Sequence, residues 1–158
     1  MINKFIILFF VSMVPIIELR GAMIMAAGWQ LPMLQSLIIC VVGNLIPVPF
    51  IYFFARKFLI WGANKRGIGK ACRIFLDKGH KAGYRLQQKA GKGIYLALLL
   101  FVGIPLPGTG AWTGTLAASL LDMGFKRSVF AVFLGVILAG VIIGVLSSLG
   151  FAFLLGMG

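Results

Sequence analysis

Apolar runs of unequal length alternate with short polar breaks along this chain. Phe5–Ile17 is apolar with Pro15 near its end, Glu18–Gly21 interrupts it, and Gly21–Gly28 is shorter still. Trp29–Pro32 reads as an interfacial turn leading into Leu31–Ala55. The second half repeats the order: Ile94–Leu106 ends in Pro-Leu-Pro-Gly, Ala111–Leu121 follows, and Ser128–Gly158 carries no charge. Crossing the ~30 Å hydrocarbon core takes about 20 residues, so Leu31–Ala55 and Ser128–Gly158 can span. The other runs are of a length more often re-entrant or interfacial. Each half therefore predicts short run, break, short run, long helix.

Between the halves, Ile68, Cys72, Phe75, Gly79, Ala82 and Leu86 follow a three-four spacing. Lys70, Arg73, Lys78, Lys81, Arg85 and Lys89 fall mostly elsewhere. This predicts a basic amphipathic helix on the inner leaflet, with a frayed solvated loop as the alternative because of its glycines. His80 lies here and is expected to be solvated.

Composition agrees with a membrane protein. Hydrophobic residues make up 61% and mean hydropathy is +1.06, above what a soluble domain carries. The N-terminal run imitates a signal peptide, but Glu18 and Arg20 stand where small residues would mark cleavage, so retention is expected. Cys40 and Cys72 lie in an apolar run and a basic stretch, and are expected to be unpaired apolar fillers.

Charge supplies the topology. The net charge is +12, from 15 Lys and Arg against Glu18, Asp77 and Asp122. Most of the basic residues lie between Arg56 and Lys92, the sign of a cytoplasmic segment attracted to anionic lipid headgroups. No nucleic-acid-binding module accompanies them, so nucleic acid is not expected as a partner. Lys89 and Lys92 precede Ile94–Leu121, and Lys126 and Arg127 follow it. Both ends then face the cytoplasm, which makes the segment a hairpin with its tip at Pro105–Gly110; two short tilted spans are the alternative. Leu31–Ala55 ends in the cytoplasm at Arg56 and Lys57, whereas Ser128–Gly158 starts there.

The predicted fold is thus an all-α integral membrane protein of two inverted repeats, each a re-entrant helical hairpin followed by a transmembrane helix. The repeats span 1–57 and 93–158, joined by a basic amphipathic cytoplasmic segment at 58–92, in one membrane domain.

Candidate chemistry sits at the two breaks. Glu18 and Arg20 interrupt apolar sequence, where charge costs about 2.5–3.5 kcal/mol on insertion scales and is usually functional or paired. They read either as a structural ion pair or as a proton-titrating carboxylate beside an anion-attracting guanidinium. The second break runs Gly103-Ile104-Pro105-Leu106-Pro107-Gly108-Thr109-Gly110-Ala111-Trp112-Thr113-Gly114. Freed N–H groups near Gly108–Ala111, opening a half-helix, would suit an anion, with the hydroxyls of Thr109 and Thr113 beside them. A tight structural turn is the alternative; the stretch lacks a P-loop ending. Pro105, Pro107, Gly108, Thr109, Gly110 and Trp112 join Glu18 and Arg20 as candidate substrate- or proton-binding residues. Asn44, beside Pro47 and Pro49, either bonds freed carbonyls of a kinked span or faces a cavity. Gly135, Ala139, Gly140, Gly144 and Ser148 form a small-residue stripe suited to internal packing or a homodimer. Asp122 is placed to partner Lys126. No catalytic set, metal site or cofactor motif is legible, so an enzyme is not expected.

Val14-Pro15-Ile16-Ile17-Glu18-Leu19-Arg20-Gly21-Ala22 and the stretch Gly103–Gly114 resemble the small multidrug export protein family of prokaryotes. That family resembles in turn the DedA-type, SNARE-associated superfamily, whose members are viewed as having two inverted re-entrant hairpins. The resemblance implies a multi-pass protein of the cell inner membrane that moves an amphipathic or anionic solute or a lipid headgroup, with proton coupling one option. It places Glu18 and Arg20 on the first hairpin and Pro105–Trp112 on the second. An uncoupled lipid scramblase or lipid-phosphate flippase, and a non-transporting scaffold bound to anionic lipid through its basic loop, are the rival readings.

The charge pattern makes a direct test. Single cysteines at Lys92 and Lys126, in a cysteine-free background, are expected to be labelled from the same side of the membrane. Labelling from opposite sides removes the second hairpin.

Overall fold

A computed structural model describes residues 2–65, 67–90 and 93–156, and the elements among them are helical. The first half contains α1 (Ile2–Met13), α2 (Glu18–Gly28), α3 (Met33–Leu45) and α4 (Pro47–Phe50). A π-helical turn, Ile51–Ala55, carries α4 into α5 (Arg56–Ala63). The connecting segment holds α6 (Gly69–Ala90), and the second half holds α7 (Ile94–Gly103), α8 (Ala111–Leu120) and α9 (Phe125–Gly156). Two stretches are long and apolar enough to cross a membrane: Met33–Phe54, of mean hydropathy 2.3, and Phe125–Gly150, of 3.0. Ile6, Phe10, Ile38, Phe130, Val145 and Leu149 are exposed on these helices and on α1, an apolar surface suited to lipid.

The first break lies earlier than its charges suggest. α1 stops at Met13 and α2 begins at Glu18, so Glu18, Arg20 and Gly21 occupy the first turn of α2 rather than the gap. Pro15 explains the shift: it has no N–H to continue α1 and disfavours helical backbone at Val14. The chain turns through Ile16 and Glu18, both at positive φ (83° and 51°), a costly conformation for a β-branched residue. The second break, between Gly103 and Ala111, falls where the prolines and glycines put it. The amphipathic pattern after Ile68 becomes α6, continuous despite its glycines. Arg66, Gly91 and Lys92 lie outside the described residues, and with them the Lys92 flank of the second hairpin.

Contacts at the helix ends order the layers. Lys4, at the start of α1, places its Nζ 5.7 Å from the ring centroid of Trp29, just beyond α2. In the second half, Arg127 stands 5.9 Å from the ring of Tyr95, and Gly124 N–H donates to the Tyr95 hydroxyl at 3.2 Å. Each short-helix pair therefore has its open ends together and its break at the far end. The two breaks meet each other, as described below. Along α9, Gly135 packs on Leu99 and Val102, Gly140 on Leu19 and Leu37, and Gly144 on Met23 and Met33. The contacts to Leu37 and then Met33 run backward along α3, so α3 and α9 cross the molecule in opposite directions. The glycines of the small-residue stripe are thus filled by the chain's own side chains, while Ser148 at its end is exposed.

The same cap closes α2 and α8. Trp29 and Leu121 end them at φ −87° with ψ 2° and 4°, followed by Gln30 and Asp122 at φ 54° and 51°. Leu31 N–H donates to Ala26 O and Met123 N–H to Ala118 O, both at 3.0 Å. Gln30 N–H reaches Ala27 O and Asp122 N–H reaches Ser119 O. This is the Schellman arrangement, which satisfies the last carbonyls of a helix. Equal sequence intervals separate these pairs, and also Ser36 from Ser128 and Gly43 from Gly135. Ser36 and Ser128 are both buried, with hydroxyls lacking a protein partner.

Gly135 gives the packing a test. A Cβ there would stand 2.7 Å from Leu99 O and 2.8 Å from Val102 Cβ, whereas at Gly150 it would meet nothing within 4 Å. Gly135→Ala is expected to destabilise the protein by about 1–3 kcal/mol through overpacking. Gly150→Ala is expected to be neutral or to stabilise by up to ~1 kcal/mol through helix propensity. Thermal unfolding in detergent reads the difference.

Candidate functional site

A helix break inside an apolar layer leaves the last carbonyls of one half-helix and the first amides of the next without intrahelical partners. α7 and α8 are such half-helices; Gly110 gives the start of α8 no side-chain cap, and at the end of α7 Thr109 Oγ1 reaches the Ile104 carbonyl. The first turn of α2 supplies the charged caps at both ends. Glu18 Oε1 accepts from Trp112 N–H at 3.1 Å, and Oε2 from Ala111 N–H at 3.3 Å. Arg20 donates from Nη1 to Leu106 O at 2.7 Å, and from Nη2 to Val102 O at 3.1 Å and Ile104 O at 3.4 Å. An anion thus meets the positive end of α8 and a cation the negative end of α7, the arrangement that helix dipoles favour. Glu18 also lies in the first turn of α2, so two helix N-termini converge on one carboxylate.

Glu18, Leu19 and Arg20 divide the work by direction. Leu19 is buried in the core against α9. Glu18 reaches α8 and Arg20 reaches the end of α7 on either side of it. The two charged side chains form their hydrogen bonds with the second break rather than with each other, as residues pointing apart from one helix would, in place of the structural ion pair that was one of the two readings. Thr109 completes the Arg20 contact: its Oγ1 accepts from Nη2 at 2.9 Å and lies 2.8 Å from Leu106 O and 3.1 Å from Ile104 O as a donor.

The remaining predicted residues separate into groups. Gly108 and Gly110 hold φ of +81° and +146°, and a Cβ on Gly110 would overlap the Glu18 carboxylate. Gly110 is therefore required twice, by conformation and by close approach. Trp112 contributes its backbone N–H to Glu18, while its indole packs against the cluster of Ile51, Leu116 and Leu120, which Leu76 of α6 also meets; its buried Nε1 has no hydrogen-bond partner. Thr113 Oγ1 turns back toward Gly110 O at 3.4 Å. Pro107 and Gly108 are exposed at the outer side of the break, and Pro105 is half-buried. Of the amides near Gly108–Ala111 expected to receive an anion, that of Ala111 is engaged by Glu18, as is the next one at Trp112, while the Thr109 N–H donates to Leu106 O at 3.2 Å.

Asn44 faces a cavity. It is buried with Oδ1 unpartnered and lines this space of about 10 Å³ with Glu18, Arg20, Gly110, Ala111 and Val136.

Sequence reasoning missed Tyr52 and Ser119. The Tyr52 hydroxyl donates to Met123 O, and the Ser119 hydroxyl donates to Tyr52 O at 2.6 Å. Together they join the π-helical turn to the end of α8. Two prolines so close to Tyr52 were the available signal. Among the described residues no cluster of three or more His, Cys, Asp or Glu could hold a metal ion. Both cysteines are free and buried.

Gly110 separates strain from cap displacement. Gly110→Ala is expected to lower stability by about 1–3 kcal/mol and to push Glu18 off the α8 amides. Gly108→Ala also meets a positive φ but open space, so its smaller loss is expected to come from backbone strain alone. Thermal unfolding, with hydrogen exchange at Ala111 and Trp112, distinguishes the two.

No curated protein and no solved structure matches this chain. The family comparison does: residues 18–142, from the capping glutamate to the middle of α9, match the small multi-drug export protein family. That match covers well over half of the sequence, so this chain is a member of the small multi-drug export protein family.

Proposed function

We propose that this chain is an inner-membrane transporter in which proton binding at Glu18 exchanges the second break's amides between Glu18 and an anionic or amphipathic solute. The observation that carries the proposal is the Glu18 carboxylate seated on the N-terminus of α8. A helix N-terminus attracts anions, phosphate and carboxylate groups included. Glu18 is an anion the protein itself places there, and it can be neutralised by one proton. Once neutral it gives up most of its attraction to the two amides, which then suit a headgroup phosphate or carboxylate. Arg20 and Thr109 keep the break folded meanwhile through its carbonyls.

The architecture suits this role. We place α1–α2 and α7–α8 as re-entrant hairpins entering from opposite faces. Tip-to-tip contact, matched caps after α2 and α8 and opposed α3 and α9 support that placement. Inverted repeats of this kind put broken helices and their binding site near the midplane. The exposed Lys57, Lys65, Lys70 and Lys81 suit the anionic inner-leaflet surface, which sets α5 and α6 on the cytoplasmic side. The family description, a small multi-drug export protein, favours export.

Reconstituted vesicles carrying a pH gradient and a fluorescent anionic phospholipid analogue test this reading. The native protein is expected to move the probe in response to the gradient, and Glu18→Gln to abolish that response. Arg20→Lys keeps the charge but loses the planar fork, and is expected to lower both stability and rate because three carbonyls share that fork. Gradient-driven movement that survives in Glu18→Gln would remove Glu18 as the coupling group. Gradient-independent movement in both proteins would favour an uncoupled scramblase.

A further inference from the structure

The cavity between the clamp and the first span has a composition that packing alone does not explain. Its lining is apolar along Leu19, Val102, Val136 and Ala139, yet Asn44, Glu18 and Arg20 line it too. Asn44 is 2% exposed, and its Oδ1 has no hydrogen-bond partner. An unpartnered buried amide oxygen costs about 1–3 kcal/mol, so a valine would suit the position better if filling space were all that mattered. The second half supplies that comparison. Where the matched glycines Gly43 and Gly135 align the two long helices, the next residue is Asn44 in one and the buried Val136 in the other. Both side chains line the same cavity.

We infer that this cavity is a binding site for one water molecule, held between Asn44 Oδ1 and the Glu18 carboxylate. Each Glu18 oxygen accepts one backbone N–H, which leaves further acceptor capacity on both. Asn44 Oδ1 and the Glu18 oxygens offer acceptors to this space, and the Arg20 guanidinium that also lines it offers donors, so it suits a small ligand that can accept and has two donors. Water has two, and a space of about 10 Å³ is the size of a single water site. A metal cation would also bridge two oxygens, but here it would stand beside the Arg20 guanidinium and the positive end of α8. The site thus selects a small neutral double donor. On the transport reading above, on which only this consequence rests, the water is the hydrogen-bonded neighbour through which the enclosed Glu18 carboxylate exchanges its proton.

A crystal structure of the full chain, at a resolution that shows ordered waters, tests the site itself. One density peak within hydrogen-bonding distance of both Asn44 and Glu18 is expected. The peak is expected to be lost in Asn44→Val, with Glu18 still on Ala111 and Trp112. A dry cavity in the native protein, or an Asn44 oxygen bonded to a protein donor, would overturn the inference, as would a peak that persists in Asn44→Val. If that variant does not fold, the native density alone decides. Failure of Glu18→Gln to abolish gradient-driven transport would remove the transport reading and leave the water site standing.

Discussion

The second half of this protein is built around a helix that stops and restarts inside an apolar layer, and that interruption is tolerable only because its ends are capped. Each unsatisfied backbone group in such surroundings costs several kcal/mol. Glu18 takes two amides of α8, and Arg20 takes three carbonyls between Val102 and Leu106. Two residues of opposite charge therefore close opposite ends of one break. Their reach depends on the turn before them, where Ile16, 95% exposed, and Glu18 adopt positive φ. Strain at Ile16 is the local cost of aiming α2 at its partner.

The rest of the fold holds the two breaks in register. α9 runs past both short-helix pairs and lets them approach through Gly135, Gly140 and Gly144. In a membrane interior, close packing rather than water exclusion drives helix association, so these small residues matter more than their bulk suggests. Tyr52 and Ser119 fix the far end of α8 to the π-helical turn. π-turns inside helices recur at functional sites, and this one sits where α8 meets the span. Leu76 of α6 and the Trp112 indole pack against one cluster of Ile51, Leu116 and Leu120, so the connecting segment meets the same half-helix that Glu18 caps.

Clamp and cavity have different logics. The clamp satisfies backbone groups and would be needed in a static structure. The cavity places Asn44, a polar residue with an unpartnered oxygen, where its counterpart is valine. Stability alone would not retain it.

Much of this was legible in the residues. The lengths of the apolar runs, the prolines and the glycines located the second break and both long helices and called for a first break nearby, because membrane thickness and the missing proline N–H act locally. The amphipathic spacing of the connecting segment gave α6, and the family resemblance rested on the same two breaks. Other features needed the tertiary structure. The first break moved upstream because Pro15 acts on the residue before it, while Glu18 and Arg20 drew attention to themselves by charge. Spacing alone said that they point apart; it could not say that one would meet α8 and the other the end of α7, across most of the chain. The partners of a carboxylate and a guanidinium are set by which helix ends packing brings to them. Whether Asn44 met carbonyls or a cavity, and whether the α9 stripe faced its own chain, were decided the same way: by which surfaces the fold placed opposite each other.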